Sequence, residues 1–254
     1  MDALAQERVI RGEGATAEAQ WQDWLARLVP PPLALEQLLA PTARLVVVSP
    51  HPDDEILGCG GLLAWHAARG GVVEVVAVTD GEASHRGDPS WPPDRLGAAR
   101  RRERERGLAR LGVTWPSVTR LGLPDGEVAA YRQLVVCALR ALLREGDVAV
   151  GTWSLDGHPD HDATGAAVEH VCAERGCRLL QAPVWMWHWS APGDARVPWQ
   201  RLGAVPLSTD AVARKALALA EHRTQLQPRI AGAGAVLGAS ILARAGRATE
   251  YFFV

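Results

Sequence analysis

The stretch from Leu45 to Gly61, LVVVSPHPDDEILGCGG, constrains this chain more than any other. Leu45, Val46, Val47 and Val48 make an apolar, β-branched run, the pattern of a strand buried on both faces in a parallel sheet. Ser49-Pro50 ends it, because proline has no N–H to give to a ladder. His51, Asp53, Asp54 and Glu55 then crowd together. Pro52 suits the first turn of a helix that continues through Ile56, Leu57, Leu62, Leu63 and Trp65. Strand, polar turn and helix in that order form the carboxyl-end geometry at which open α/β sheets place their ligands.

His51 and Asp54 are three residues apart, so at the start of a helix both can face one point while Asp53 points a step aside. Imidazole plus carboxylate is a zinc-type ligand pair, and a free carboxylate beside it can take a proton from an activated water. The plainer reading is a helix N-terminus whose acids complement the dipole. Against it, adjacent carboxylates repel one another unless a cation sits among them. His158-Pro159-Asp160-His161 repeats the theme after the run Asp147 to Gly151 and before an apolar-periodic helix through Ala163, Ala167, Val168 and Val171. Parallel strands put such crossings on one sheet edge, so the two patches can meet.

Further runs at 72–79, 117–121 and 179–187, separated by helical patterns that include 128–144 and 161–175, predict an α/β fold. This is a doubly wound, mostly parallel Rossmann-like sheet with helices on both faces. Residues 80–97 read as a long loop that starts at the ligand edge. Val184 to Trp189 reads as a continuing strand with Trp185, Trp187 and Trp189 on one face, either core or a pocket wall, and Trp153 is a second candidate for such a wall. A strand over 202–207, a helix after Thr209, a flexible segment or lid over 231–239 and a docked apolar end complete the chain. Residues 1–42 read as an N-terminal helical extension to a domain at 43–254. Trp21, Trp24, Leu25 and Leu28 lie on one helix that packs on the core or on a second subunit, so a homo-oligomer stays open.

A formal charge of −2 leaves no electrostatic footprint for nucleic acid or an anionic membrane. No apolar run is long enough for an integral membrane segment, and the polar start lacks a signal-peptide core, which makes cytoplasmic the default. Cys59, Cys137, Cys172 and Cys177 form no Cys-x-x-Cys pair and read as buried reduced thiols. Gly58, Gly60 and Gly61 have the wrong spacing for a dinucleotide fingerprint, and the preceding acids would oppose a pyrophosphate.

The order and spacing of five motifs resemble the LmbE-like, or PIG-L, family of zinc-dependent N-acetylglucosaminyl deacetylases. These motifs are His51 to Glu55, Thr79 to Glu82, Arg100 with Glu103, Leu123 to Gly126 and His158 to His161. The resemblance runs from Leu45 to about Gln225. It implies an enzyme that hydrolyses a linear amide, removing an N-acyl group, N-acetyl above all, from an amino sugar or a sugar-containing small molecule. His51, Asp54 and His161 would hold zinc, although iron(II) fits the same ligands. Asp53 would be the general base, protonated His158 would stabilise the oxyanion, and Asp160 would orient His158. Arg100 and Asp125 would contact substrate, with Trp153 as a wall. Gly107 stands where the family has alanine, and Asp156 where some members have a tyrosine. The rival is a metal-dependent hydrolase of a phosphate or ester. Against a phosphate stands the acidic ring expected from Asp53, Glu55, Asp80, Asp125, Asp156 and Asp160, with Arg100 as the only family-supported cation.

Overall fold

In the computed structural model all residues are described except 1–7, 9, 11, 41, 114–116 and 231–232. Helices α1 (Glu18–Leu28) and α2 (Leu35–Leu38) precede β1 (Arg44–Ser49), which leads into α3 (Asp54–Ala68). Then come β2 (Val72–Thr79), α4 (Pro93–Arg110), β3 (Ser117–Leu123), α5 (Arg132–Leu142), β4 (Val148–Thr152) and α6 (Pro159–Arg175). The chain continues through β5 (Arg178–Ala182), α7 (Met186–Trp189), β6 (Leu202–Pro206), α8 (Thr209–Leu219), α9 (Arg223–Leu226), α10 (Ala239–Ala245) and β7 (Thr249–Phe253).

Among the described residues these strands form one sheet in the order β3-β2-β1-β4-β5-β7-β6. The first five are parallel, and β7 runs antiparallel to both of its neighbours. The chain builds outward from β1 to β3, then crosses back to lay β4 against the other side of β1. The strand order therefore reverses at the carboxyl ends of β1 and β4, where a doubly wound sheet opens a crevice.

Alternation along the central strands builds a core on each face. Leu45, Val47, Val75 and Val150 pack with Ile56, Leu62 and Leu63 of α3, Leu108 of α4 and Leu219 of α8. Val46, Val48, Val76, Val78 and Ala149 pack with Val135, Val136 and Leu139 of α5 and with Ala167, Val168 and Val171 of α6. Each fully buried side chain of β1 contributes about 1.5–3 kcal/mol relative to exposure. A third, aromatic cluster joins Trp21 and Leu25 of α1 to Trp153, Met186, Trp187 and Phe253. Trp21 meets Trp187 edge to face at 5.1 Å, and Glu18 pairs with Arg247 at 2.8 Å.

Several local expectations fail, among them the loop predicted over 80–97, which turns helical at Pro93. The strand over 179–187 stops at Ala182, because the Asp156 carboxylate accepts from the backbone N–H groups of Val184, Trp185 and Met186, donors that a strand would spend on its ladder. The chain turns into α7 instead, so Trp187 enters the aromatic cluster while Trp189 stacks on Trp153, and the tryptophans do not share a face. Helix α3 is not continuous either: Cys59 leaves helical geometry (φ −147°, ψ 24°) within the glycine-rich stretch. Finally, Cys137 is exposed, whereas Cys59 and Cys172 are buried, and all four thiols are free.

The break in α3 frees backbone donors, and a remote residue accepts from them. Glu250 of β7 takes the N–H groups of Gly61 (2.7 Å) and Leu62 (2.9 Å). Lys215, the chain's only lysine, donates to the same carboxylate at 2.7 Å and to Leu57 O at 3.0 Å. The group is buried, so removing one partner strands the others without water. Glu250→Ala should lower the unfolding free energy by about 3–5 kcal/mol in a denaturant titration, and the double replacement Lys215→Met with Glu250→Gln should lose less than Glu250→Ala. A loss below 1 kcal/mol for Glu250→Ala would remove this role.

Candidate active site

The two polar patches meet at the crevice between β1 and β4. After β1, Ser49 Oγ lies 2.5 Å from His51 O and 2.6 Å from Glu55 Oε2, which pins the turn. Asp54 opens α3, and its Oδ2 accepts from the His51 N–H at 2.9 Å. Between them Asp53 has φ 142°, a backbone geometry that residues with a Cβ rarely adopt. Such a conformation costs on the order of 1–3 kcal/mol and persists where the surroundings over-determine it. Here the Asp53 carbonyl accepts from Ile56 and Leu57, and its carboxylate lies 3.2 Å from Arg100 Nη2.

His51 Nδ1 and His161 Nε2 each lie 3.2 Å from Asp54 Oδ2. Ligand atoms bound at about 2.0–2.1 Å around a tetrahedral ion sit about 3.3 Å apart, so each histidine nitrogen stands at ligand spacing from Asp54, and all three atoms lie within 4.8 Å of one another. His161 Nε2 is buried and, among the described residues, has no hydrogen-bond partner, although Asp54 Oδ2 is near. The opposite nitrogen is held: Nδ1 lies 2.8 Å from Asp156 Oδ2. A carboxylate that fixes one imidazole nitrogen and leaves the other aimed at a shared point is the usual outer support of a metal-binding histidine. Asp156 is fully buried and is itself fixed by the backbone donors at the start of α7. The aspartate that replaces a tyrosine of some family members is thus tied to His161.

The charges respond to this crowding. Burial disfavours the carboxylate of Asp54, but His161 and His51 outweigh it and hold the group well below the usual range. For Asp53 burial dominates, Arg100 opposes it and Asp54 adds repulsion, which leaves the carboxyl raised to about 7. His51 and His161 lose to burial but gain more from their carboxylate neighbours; the first is raised well above its ordinary value and the second to about 9. Burial and then the neighbouring His161 and His51 push His158 down to about 3.

His158 and Asp160 differ from the predicted arrangement. The Asp160 carboxylate stands within 4.8 Å of the His158 ring but makes no hydrogen bond to it. It accepts from the N–H groups of Gly126 (2.7 Å) and Val128 (3.1 Å) and lies 3.1 Å from His51 Nε2. The backbone N–H of Asp160, at 3.2 Å, faces His158 Nδ1. A donor at Nδ1 selects the neutral ring with its proton on Nε2, in place of the protonated ring predicted from the sequence.

A cleft of about 340 Å³ opens over these groups. His51, Asp53, Asp54, Asp125 and His158 line it, and Leu57, Trp185, Val236 and Leu237 add apolar surface. Arg100 also lines it, donating to Gly81 O (2.8 Å) and Pro52 O (3.0 Å). Asp125 Oδ1 lies 3.2 Å from His51 Nε2, and its other oxygen accepts from Ala83. Trp153 does not line the cleft. It is buried against Phe253 with ring centroids 4.5 Å apart, because its place at the end of β4 faces the aromatic cluster. Trp185 takes the wall position instead, 6.4 Å from His158.

The acidic ring is likewise smaller than its sequence suggests. Glu55 turns inward to Arg104, Asp80 pairs with Arg101 and Arg120 outside the cleft, and Asp156 is beneath His161. The charged lining is Asp53, Asp54 and Asp125 against Arg86, Arg100 and Arg229. The charge of this lining does not oppose a phosphate. Ser84, Arg86, Gln225 and Arg229 were not singled out by sequence reasoning. They come from the loop after β2 and from the segment around α9, and no motif or periodicity marks them.

The profile described as "GlcNAc-PI de-N-acetylase" (PIG-L) matches residues 46–172. A 1D-myo-inositol 2-acetamido-2-deoxy-alpha-D-glucopyranoside deacetylase of Mycolicibacterium gilvum is 30% identical over 193 residues, covering 65% of this chain and 66% of that protein. The chain thus spans just under two thirds of that relative's length. The crystal structure of the N,N'-diacetylchitobiose deacetylase from Pyrococcus horikoshii superposes with a TM-score of 0.56 at 23% identity, over 82% of this chain and 79% of the other. A deacetylase of the teicoplanin biosynthesis pathway gives a TM-score of 0.62 at 19% identity, over 83% and 97%. At those identities the two structures establish the shared fold. With its profile match over half the sequence and both signature motifs converging on one crevice, this chain belongs to the PIG-L (LmbE-like) family.

Proposed function

We propose that this chain is a metal-dependent N-deacetylase that removes an N-acyl group, N-acetyl foremost, from an amino sugar or a small molecule that contains one. The observation that carries the reading is the buried trio His51, Asp54 and His161, with its orphaned imidazole nitrogen and the unligated Asp53 beside it. The trio would hold one divalent ion, zinc in this proposal, with iron(II) suited to the same donors. When bound, the ion supplies an activated water and polarises the acyl carbonyl.

The chain's own groups then divide the work. Asp53, raised to about 7, accepts the proton of the attacking water as the new bond to the carbonyl carbon forms. Arg100 favours the ionised form of that carboxylate and fixes it. His158, with Nδ1 occupied by a backbone donor, offers Nε2–H to the carbonyl oxygen as it gains charge. The carbon–nitrogen bond breaks as protonated Asp53 returns its proton to the departing amine, because a neutral imidazole is a poor acid. Asp160 positions the turn at Gly126 and the His51 ring, and Asp125 faces the cleft as an acceptor for sugar hydroxyls.

The deciding experiment incubates zinc-loaded protein with N-acyl sugars and aryl phosphates and follows acetate, free amine and phosphate by mass spectrometry. Free amine and acetate in equal amounts are expected; phosphate release with no amine from any sugar would overturn the proposal.

Elemental analysis should find one divalent ion per chain, lost in His51→Ala and His161→Ala, while Asp53→Asn keeps the ion and loses turnover by a factor on the order of 10²–10⁴. Stoichiometric metal in both histidine variants contradicts the trio, and full turnover in Asp53→Asn contradicts the base.

A pH profile tests Arg100. Asp53 works as a carboxylate, so activity is present above its pKa and falls as pH drops through it. That acid limb should lie at or below about 7 in the loaded enzyme. Arg100→Met removes a charge that favours the carboxylate, so the limb should move to higher pH by about 1 unit or more. An unmoved limb rules out this coupling.

A further inference from the structure

Helix α4 turns one face into the protein: Arg100, Glu103, Arg104 and Gly107 are buried, at the spacing of neighbours on a helix. The two arginines reach the catalytic turn, Arg100 at Asp53 and Arg104 at Glu55. Glu103 is directed elsewhere. It sits among five arginines between positions 100 and 106, yet it forms no ion pair with any described residue. Both of its oxygens go to one residue 121 positions on: Oε1 accepts from the Thr224 N–H at 2.9 Å and Oε2 from the Thr224 hydroxyl at 2.6 Å. Glu103 is 3% exposed and Thr224 4%, so water does not share those bonds. A carboxylate buried in this way is tolerated only with directed donors, and here one residue supplies two of them.

The polarity of these bonds carries further. An ionised carboxylate only accepts, so the Thr224 hydroxyl spends its proton on Glu103 and keeps its lone pairs for the Gln225 side chain, whose Nε2 donates to it at 2.9 Å. That Nε2 also faces Ser84 Oγ at 3.4 Å, and Gln225 O accepts from the Leu237 N–H at 2.9 Å. Ser84, Gln225 and Leu237 all line the cleft. They come from the loop after β2, from α9 and from the stretch before α10. Helix α9 is four residues long, and its own hydrogen bonds are too few to hold it in place. Gly107 permits the close seat: a Cβ there would stand 3.0 Å from His222 Nε2 and 3.3 Å from Ala218 O, so the junction of α8 and α9 lies against bare α4 backbone.

We propose that Glu103 is a positioning residue for the α9 wall of the cleft: through Thr224 it latches α9, and with it Gln225 and Leu237, and so sets how tightly the cleft holds a ligand without taking part in the proton transfers at the trio. The effect on affinity rests on the deacetylase reading; the latch itself does not.

Hydrogen exchange, followed by NMR on the zinc-loaded protein without substrate, reads the latch directly. Thr224→Val keeps the shape of the side chain and leaves Glu103 Oε2 without its hydroxyl donor, whereas Thr224→Ser retains the hydroxyl. In Thr224→Val and in Glu103→Gln the amides of residues 224 and 237 should exchange about tenfold or more faster, while the amides of β1 and β4 keep their wild-type rates. With the methyl glycoside of N-acetylglucosamine as substrate, KM should rise about tenfold and kcat should stay within about twofold, and neither the acid limb of the pH profile nor the metal content should move. Thr224→Ser should stay within about twofold of wild type in exchange and in KM. Unchanged exchange at both amides, faster exchange spread evenly over the core strands, or a fall in kcat with KM unchanged overturns the latch. Because exchange needs no substrate, the two readings fail separately. Faster exchange confined to the α9 wall, in a protein that releases no amine from any N-acyl sugar, upholds the latch and sinks the deacetylase. Amine release with wild-type KM in both variants does the reverse.

Discussion

Three imidazoles and five carboxylates share a crevice from which water is largely excluded, and the site exists only because that charge is compensated locally. A carboxylate buried without partners loses several kcal/mol of hydration. Asp156 recovers it from three backbone donors and His161, and Asp160 recovers it from two backbone donors and His51. His51 Nδ1 and His161 Nε2 both face Asp54 Oδ2, and the contacts around them, Asp156 on His161 and Asp160 on His51, fix the direction of each ring.

The sheet makes this density achievable. β1 and β4 are neighbours in space although β2 and β3 separate them in sequence, and both end in a proline-bearing turn into a helix. The helices on opposite faces bury the apolar residues, which frees the strand ends to carry polar groups. Asp53 shows the strain that accompanies this placement, with an aspartate in backbone geometry that suits glycine. Glycine there would relieve the strain and remove the carboxylate, a conflict between stability and chemistry common at catalytic turns.

What the sequence revealed followed from local pattern. The strand at Leu45 to Val48, the alternation of elements, and the convergence of the two histidine-containing patches are all consequences of short-range periodicity plus the rule that parallel strands share a carboxyl edge. What it hid depended on remote partners. The end of β5 is decided by Asp156, the break in α3 is held by Glu250, and Trp153 turns to the core because α1, α7 and β7 supply an aromatic bed. Asp160 sits in a histidine motif, yet its carboxylate serves the turn at Gly126. Arg86 and Arg229 in the cleft lining carry no spacing signal, since their position depends on how two irregular segments lie over the sheet.

The position of β7 has a consequence for how the chain reaches its final form. The strand is last in chain order, but it lies inside the sheet, between β5 and β6. It also carries the carboxylate that accepts from Gly61 and Leu62, 189 and 188 residues earlier in sequence. During synthesis from the N-terminus, the strands and turns that frame the crevice emerge long before that carboxylate does. Until it arrives, the break in α3 has two backbone donors without their partner and β6 has no strand to pair with. A chain cut before β7 would contain every proposed ligand and still lack the carboxylate that accepts at the break in the ligand-bearing helix.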